Sequence, residues 1–201
     1  MKTRFFSYLI FALFLSVFYV MVETGVGAQE PLPPPAPDYF PDRWDECTSQ
    51  QGRFRIRFPG KPKESTTTED TPAGKLVTLD LQYKGLLQYS VTFMDYEKLL
   101  SGQPTEQQLL EGSKNAVLDK MKANNMRLMK ERAVTIDGHA GYFLHAEYGA
   151  SGVVRVEWVI AGKRVYILVV DGRKGSPNEL EGKDDFEKVA VGFINSFHVM
   201  P

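Results

Sequence analysis

The stretch Tyr142 to Asp171, YFLHAEYGASGVVRVEWVIAGKRVYILVVD, decides the fold. It reads as three consecutive antiparallel strands joined by two tight turns. Between Val153 and Ile160, the residues Val154, Val156, Trp158 and Ile160 alternate with Arg155, Glu157 and Val159, which is the period of a half-buried strand. Val165 to Val170 is apolar at every position, as expected of a central strand covered on two sides.

A register follows if Ala150, Ser151 and Gly152 form a three-residue turn with Gly152 in the left-handed region. Tyr148 then faces Val154, Ala146 faces Val156 and Leu144 faces Trp158. On the other face Glu147 meets Arg155 and His145 meets Glu157. A second three-residue turn at Ala161, Gly162 and Lys163 sets Trp158 against Tyr166, Val156 against Leu168 and Val154 against Val170. Apolar meets apolar throughout, and a one-residue slip would carry the charged face inward.

On the amino-terminal side, Trp44 to Ser49 and Phe54 to Phe58 form a predicted hairpin turning at Gln50, Gln51 and Gly52. Glu64 to Asp70 is polar and threonine-rich, as an edge strand is. Val77, Leu79, Leu81 and Tyr83, then Leu87, Tyr89, Val91 and Phe93, mark two strands, each with one apolar and one polar face. Thr105 followed by Gln108 is a capping box, opening a helix with Leu109, Leu110, Ala116, Val117 and Met121 on its apolar stripe. Arg127 to Ile136 returns to strand and ends at Asp137-Gly138. After a loop from Gly172 to Gly182, Asp184 with Glu187 caps a second helix that buries Phe186, Val189, Ala190, Phe193 and Ile194. Ser196 to Val199 rejoins the sheet edge. The class is α+β, with two main helices covering one mostly antiparallel sheet.

Two segments precede this domain. Met1 to Ala28 has Lys2 and Arg4, an uncharged apolar run from Phe5 to Val22, and Val26-Gly27-Ala28 ahead of a cleavage point, the anatomy of an export signal. The run is also long enough for an uncleaved membrane anchor. Residues 29–43 include PLPPPAPDYFP, a proline-rich extended linker. The domain proper spans 44–201 and is expected outside the cytoplasm. Lysine plus arginine (24) nearly balances aspartate plus glutamate (25), without a basic run, so nucleic acid is not an expected partner. The lone Cys47 has no internal disulfide partner and reads as a small apolar residue of the first strand.

The run Gln51-Gly52-Arg53-Phe54-Arg55-Ile56-Arg57-Phe58-Pro59-Gly60-Lys61-Pro62 after Trp44 resembles the start of PsbP-like domains, found in many small exported bacterial proteins. So do Gly138-His139-Ala140-Gly141-Tyr142, Val165-Tyr166-Ile167-Leu168 and the closing Phe193-Ile194-Asn195-Ser196-Phe197. That family is named for an extrinsic subunit of photosystem II and shares an α-β-α sandwich with a Ran-binding nuclear import factor. The resemblance implies a binding or accessory role without established catalysis, and it carries no functional residue across.

Chemistry-bearing patterns are few. His145, Glu147, Arg155 and Glu157 are the best clustered titratable set. They offer either a metal or acid/base site or a cross-strand ionic ladder on an exposed sheet face, and we expect the ladder. His145-Ala146-Glu147 matches half of a zinc deaminase signature, but the Pro-Cys-x-x-Cys half is missing from the sequence. Asp171-Gly172-Arg173-Lys174-Gly175-Ser176-Pro177 has the wrong order and spacing for a phosphate loop. Trp158, Tyr166 and Tyr142 read as core residues before pocket residues. The expectation is therefore an exported, non-catalytic binding or accessory protein of the cell envelope. It has no cofactor or metal, its partner is a protein or small ligand, and it contacts the membrane only through an uncleaved leader. The alternatives are an envelope hydrolase or metal-dependent enzyme on the His145/Glu147 face, and a membrane-tethered structural protein.

Overall fold

The structure is a computed structural model that describes residues 44–71, 74–85, 87–96, 105–173 and 183–201. The leader and the proline-rich linker lie outside the described residues, as do Lys174 to Pro177 of the glycine-containing loop. The strands are β1 (Asp45–Ser49), β2 (Phe54–Phe58), β3 (Lys63–Thr71), β4 (Gly74–Lys84), β5 (Gln88–Asp95), β6 (Arg127–Ile136), β7 (His139–Tyr148), β8 (Gly152–Ala161), β9 (Arg164–Arg173) and β10 (His198–Val199). Helix α1 spans Glu106–Ala123 and α2 spans Lys183–Asn195.

The long strands make one seven-stranded sheet in the order β3-β4-β5-β9-β8-β7-β6, antiparallel at every step. The two edges are the polar strands β3 and β6. β1, β2 and β10 form a second, three-stranded sheet, where the sequence suggested one continuous layer. β2 is buried at Phe54, Ile56 and Phe58, and these side chains close over the large sheet instead of extending it.

Both faces of the large sheet are covered. One face packs under α1, where Leu109, Ala116, Val117 and Met121 meet Leu144, Val154, Val156, Trp158, Ile160 and Ile167. The capping box forms as the sequence predicts: Gln108 N–H donates to Thr105 Oγ1 and Thr105 N–H donates to Gln108 Oε1. The other face packs under α2 and the small sheet, with Phe193 at the junction. Its ring lies 5.3 Å from Phe58, 5.1 Å from Tyr89 and 6.4 Å from Trp44. Each fully buried Leu, Ile or Phe contributes roughly 1.5–3 kcal/mol, so the two interfaces carry most of the stability. The small sheet closes over great sequence distance, since Arg57 N–H donates to Ser196 Oγ across 139 residues.

Several expectations are corrected. The β7–β8 loop is Gly149-Ala150-Ser151, with Gly149 at φ +55°, so Tyr148 pairs with Gly152, Ala146 with Val154, Leu144 with Val156 and Tyr142 with Trp158. The β8–β9 connection has two residues, Gly162 (φ +64°) and Lys163, which sets Trp158 opposite Ile167 and Val154 opposite Asp171. Trp158 and Tyr166 therefore lie on different faces. β4 and β5 are not half-polar in the manner expected: Thr78, Ser90 and Thr92 are buried beside Leu76 and Met94. Helix α2 begins at Lys183, so Asp184 lies in its first turn, and the side chain expected to cap it lies outside the described residues.

Candidate functional site

The polar residues of β6, β7 and β8 gather on the face under α2, and the helix brings the carboxylate that organises them. Arg155 and Glu157 were expected on an exposed, half-polar face. Both are buried, at 6% and 4% exposure, because α2 lies over them. Arg155 is fully engaged. Its Nε and Nη2 donate to Glu157 Oε1 at 3.0 and 2.5 Å, and its Nη1 donates to Glu187 Oε2 at 2.5 Å. The guanidinium also lies 4.4 Å from the centroid of the Phe143 ring. His145 Nδ1 approaches Glu187 Oε1 to 2.7 Å, a close polar contact that sits off the hydrogen-bonding axis.

The local fields follow from this packing. His145 and Arg155 hold the Glu187 carboxyl below the usual glutamate range, against the opposing effect of partial burial. Burial pushes Glu157 up, and the neighbouring Arg155 pulls only part of that shift back. The cross-strand ladder is thus replaced by a buried clamp between sheet and helix. Its pairing also differs: His145 stands opposite Arg155 and Phe143 opposite Glu157. Glu147 does not join the other three. It pairs with Arg127 at the rim of β6.

Beside the clamp runs a cleft of about 320 Å³, at the small end of the range for ligand pockets. Arg132, Val134 and Ile136 of β6 form one wall. Arg155 and Glu157 form the floor, and Val191, Ile194 and Phe197 form the opposite wall. Asp137 and His198 close one end. Asp137 (φ +52°) and Gly138 (φ +82°) make the β6–β7 turn, both in the left-handed conformation that two-residue hairpin loops favour. From this turn Asp137 Oδ2 accepts the Val199 N–H at 2.8 Å and Oδ1 lies 3.3 Å from His198 Nδ1. Partial burial raises the Asp137 carboxyl, but these contacts outweigh it and leave a net lowering.

Sequence reasoning identified His145, Arg155 and Glu157. It missed Arg132, Asp137, Glu187 and His198. The one available signal for Glu187 was an acidic residue directly after Phe186 on the buried side of a predicted helix. Elsewhere, Tyr148 Oη donates to Asp171 Oδ1 at 2.5 Å, on the α1 side of the sheet. Cys47 is half-buried in β1, its thiol pushed up by burial and then by Glu64. Among the described residues no group of three His, Cys, Asp or Glu side chains is placed to hold a metal, and no helix is long and apolar enough to cross a membrane.

No family model matches the chain, and no curated protein does. Solved structures do. A crystal structure of a protein from Bacteroides thetaiotaomicron aligns at 12% identity and a TM-score of 0.41, covering 79% of this chain and 49% of that one. The solution structure of cyanobacterial PsbP from Synechocystis sp. PCC 6803 aligns at 12% identity and a TM-score of 0.50, over 87% of this chain and 98% of that one. The architecture built above, an α+β fold with a mostly antiparallel sheet between two helices, is PsbP-like.

Proposed function

We propose that this chain is an exported, non-catalytic binding or accessory domain of the cell envelope, and that it engages its ligand or partner at the cleft between β6 and α2. The observation that carries this reading is that Arg155 and the carboxylates of the cleft are engaged with partners inside the protein. Arg155 is bound to Glu157 and Glu187, and Asp137 is bound to the Val199 N–H beside His198. Groups consumed in this way orient one another and are poorly placed to transfer protons to a substrate. What faces the space combines apolar side chains, Val134, Ile136, Val191, Ile194 and Phe197, with polar groups in comparable measure, which suits recognition. The PsbP-like architecture supports an accessory role, and the leader of residues 1–28 supports export.

Two experiments test the reading. A periplasm-dependent reporter fused after the linker is expected to be active, and a cytoplasmic signal alone would remove the envelope assignment. Mass spectrometry of the native chain is expected to find the mature terminus at Gln29. A terminus at Met1 would favour a membrane-tethered protein. The hydrolase or metal-enzyme alternative needs His145 and Glu147 to converge on one substrate. Their separate engagement with Glu187 and Arg127 weighs against it. Metal bound at stoichiometry and lost in His145→Ala would restore it.

A further inference from the structure

We propose that the cleft between β6 and α2 takes a small organic monoanion with an apolar body, a carboxylate or sulfonate on an aryl or alkyl group, and that Arg132 is its counter-ion. This rests on the reading of the cleft as the contact site, and goes further by naming the chemistry that fits it.

The charges around the cleft point to this ligand. The lining holds Arg132 and Arg155 against Glu157 and Asp137. Arg155 and Glu157 are locked together, with Glu187 behind them, and Asp137 is engaged with His198 and the Val199 N–H. Arg132 is the exception. It is exposed on the wall, and its guanidinium lies over the face of Phe143, 5.3 Å from the ring centroid. Its charge is felt by Glu157, but among the described residues it forms no ion pair, so an anion arriving at Arg132 breaks none. With Glu187 counted, two arginines stand against three carboxylates, so Arg132 is the one cation left to face a ligand and a second or third negative group would meet repulsion. A phosphate-rich ligand is therefore disfavoured and a monoanion is matched.

The apolar part of the ligand follows from the walls. Val134 and Ile136 continue the same face of β6 beyond Arg132, and Val191 and Ile194 stand opposite. Val191 is one of three large hydrophobic side chains left exposed among the described residues, at 36%. At about 3.3 Å per residue, the wall from Arg132 to Ile136 is roughly 13 Å long, the length of two fused rings with a substituent or of a chain of about ten carbons.

The test uses the full mature chain with two probes that differ in charge. One is 8-anilinonaphthalene-1-sulfonate and the other is its neutral counterpart N-phenyl-1-naphthylamine, both titrated by fluorescence with folding checked by circular dichroism. Arg132→Gln is expected to weaken the sulfonate about tenfold, the loss of one partly exposed charge-assisted contact, and to leave the neutral probe within about twofold. Val191→Asp is expected to weaken both probes. Lys130→Gln removes a charge from the same strand outside the cleft and is expected to change neither. Dodecanoate is expected to displace the sulfonate. Phosphatidylglycerol vesicles displacing it equally well would overturn the free-ligand form in favour of a lipid surface. If Arg132→Gln and Lys130→Gln weaken the sulfonate equally, or Arg132→Gln does nothing, the anion assignment falls while the cleft remains a contact site. If Val191→Asp affects neither probe, both readings fall.

Discussion

Arg155 Nη1 donates to Glu187 Oε2 at 2.5 Å, and through that bond a strand near the middle of the large sheet grips the helix that lies over it. The same guanidinium holds Glu157, so one cation organises two carboxylates, Glu157 buried on the sheet and Glu187 half-buried on the helix.

Removing that cation is therefore expected to be severe. Arg155→Met leaves Glu157 buried without its counter-charge and is expected to cost about 3–5 kcal/mol in urea unfolding. The double variant Arg155→Met/Glu157→Leu is expected to recover most of the loss, since well-packed apolar residues can replace a buried pair. A single-variant loss below about 1 kcal/mol would mean that the clamp is not closed in solution.

Two carboxylates give pH dependences of opposite sign. Glu187 is lowered by His145 and Arg155, so its stabilisation is complete above the unfolded pKa and is lost as pH falls through the folded one. Asp171 is raised by burial in spite of the Tyr148 hydrogen bond, so its cost develops as pH rises through its folded value and is complete above it. In thermal melts across a pH series, Glu187→Gln is expected to destabilise at neutral pH and progressively less in acid. Asp171→Asn is expected to stabilise at neutral pH and to do little below about pH 4. The reverse order would contradict these environments.

Phe193 joins α2 to both sheets through its contacts with Trp44, Phe58 and Tyr89. Phe193→Ala is expected to cost about 3–5 kcal/mol, measured by chemical denaturation. A loss typical of a surface site would place α2 elsewhere.

Gly141 sits in β7 between Val134 of β6 and Val159 of β8. A Cβ there would meet the Trp158 carbonyl oxygen at 2.5 Å, and backbone cannot swing aside as a side chain can. Gly141→Ala is expected to cost about 1–3 kcal/mol of stability in the same assay. Melts indistinguishable from the parent would show a wider strand spacing than described.

Periodicity located the elements well. Alternation in β8, the capping box at Thr105 and the Asp137-Gly138 turn all lie where their side chains dictate. Register was harder to read. Gly149, not Gly152, takes the left-handed position, which moves the β7–β8 pairing by two residues without changing which side chains share a face. The shorter turn at Gly162 and Lys163 moves β9 by one, and β9 is apolar at every position from Val165 to Val170, so no polar residue penalises either choice. The clamp was half legible for a related reason. Its strand residues lie within one hairpin, but Glu187 arrives from a helix 32 residues beyond Arg155, and strand alternation alone cannot show that a helix will cover the charged face. The separate small sheet was hidden likewise, because its closing strand is only two residues long.

That closing strand imposes an order of events. Phe54 and Arg55 pair with Ser49 and Thr48 on one edge of β2, and on the other edge with Val199 and His198. Until residues 198 and 199 have been made, the hairpin of β1 and β2 lacks its third strand, so the small sheet is completed only after every strand of the large sheet has emerged.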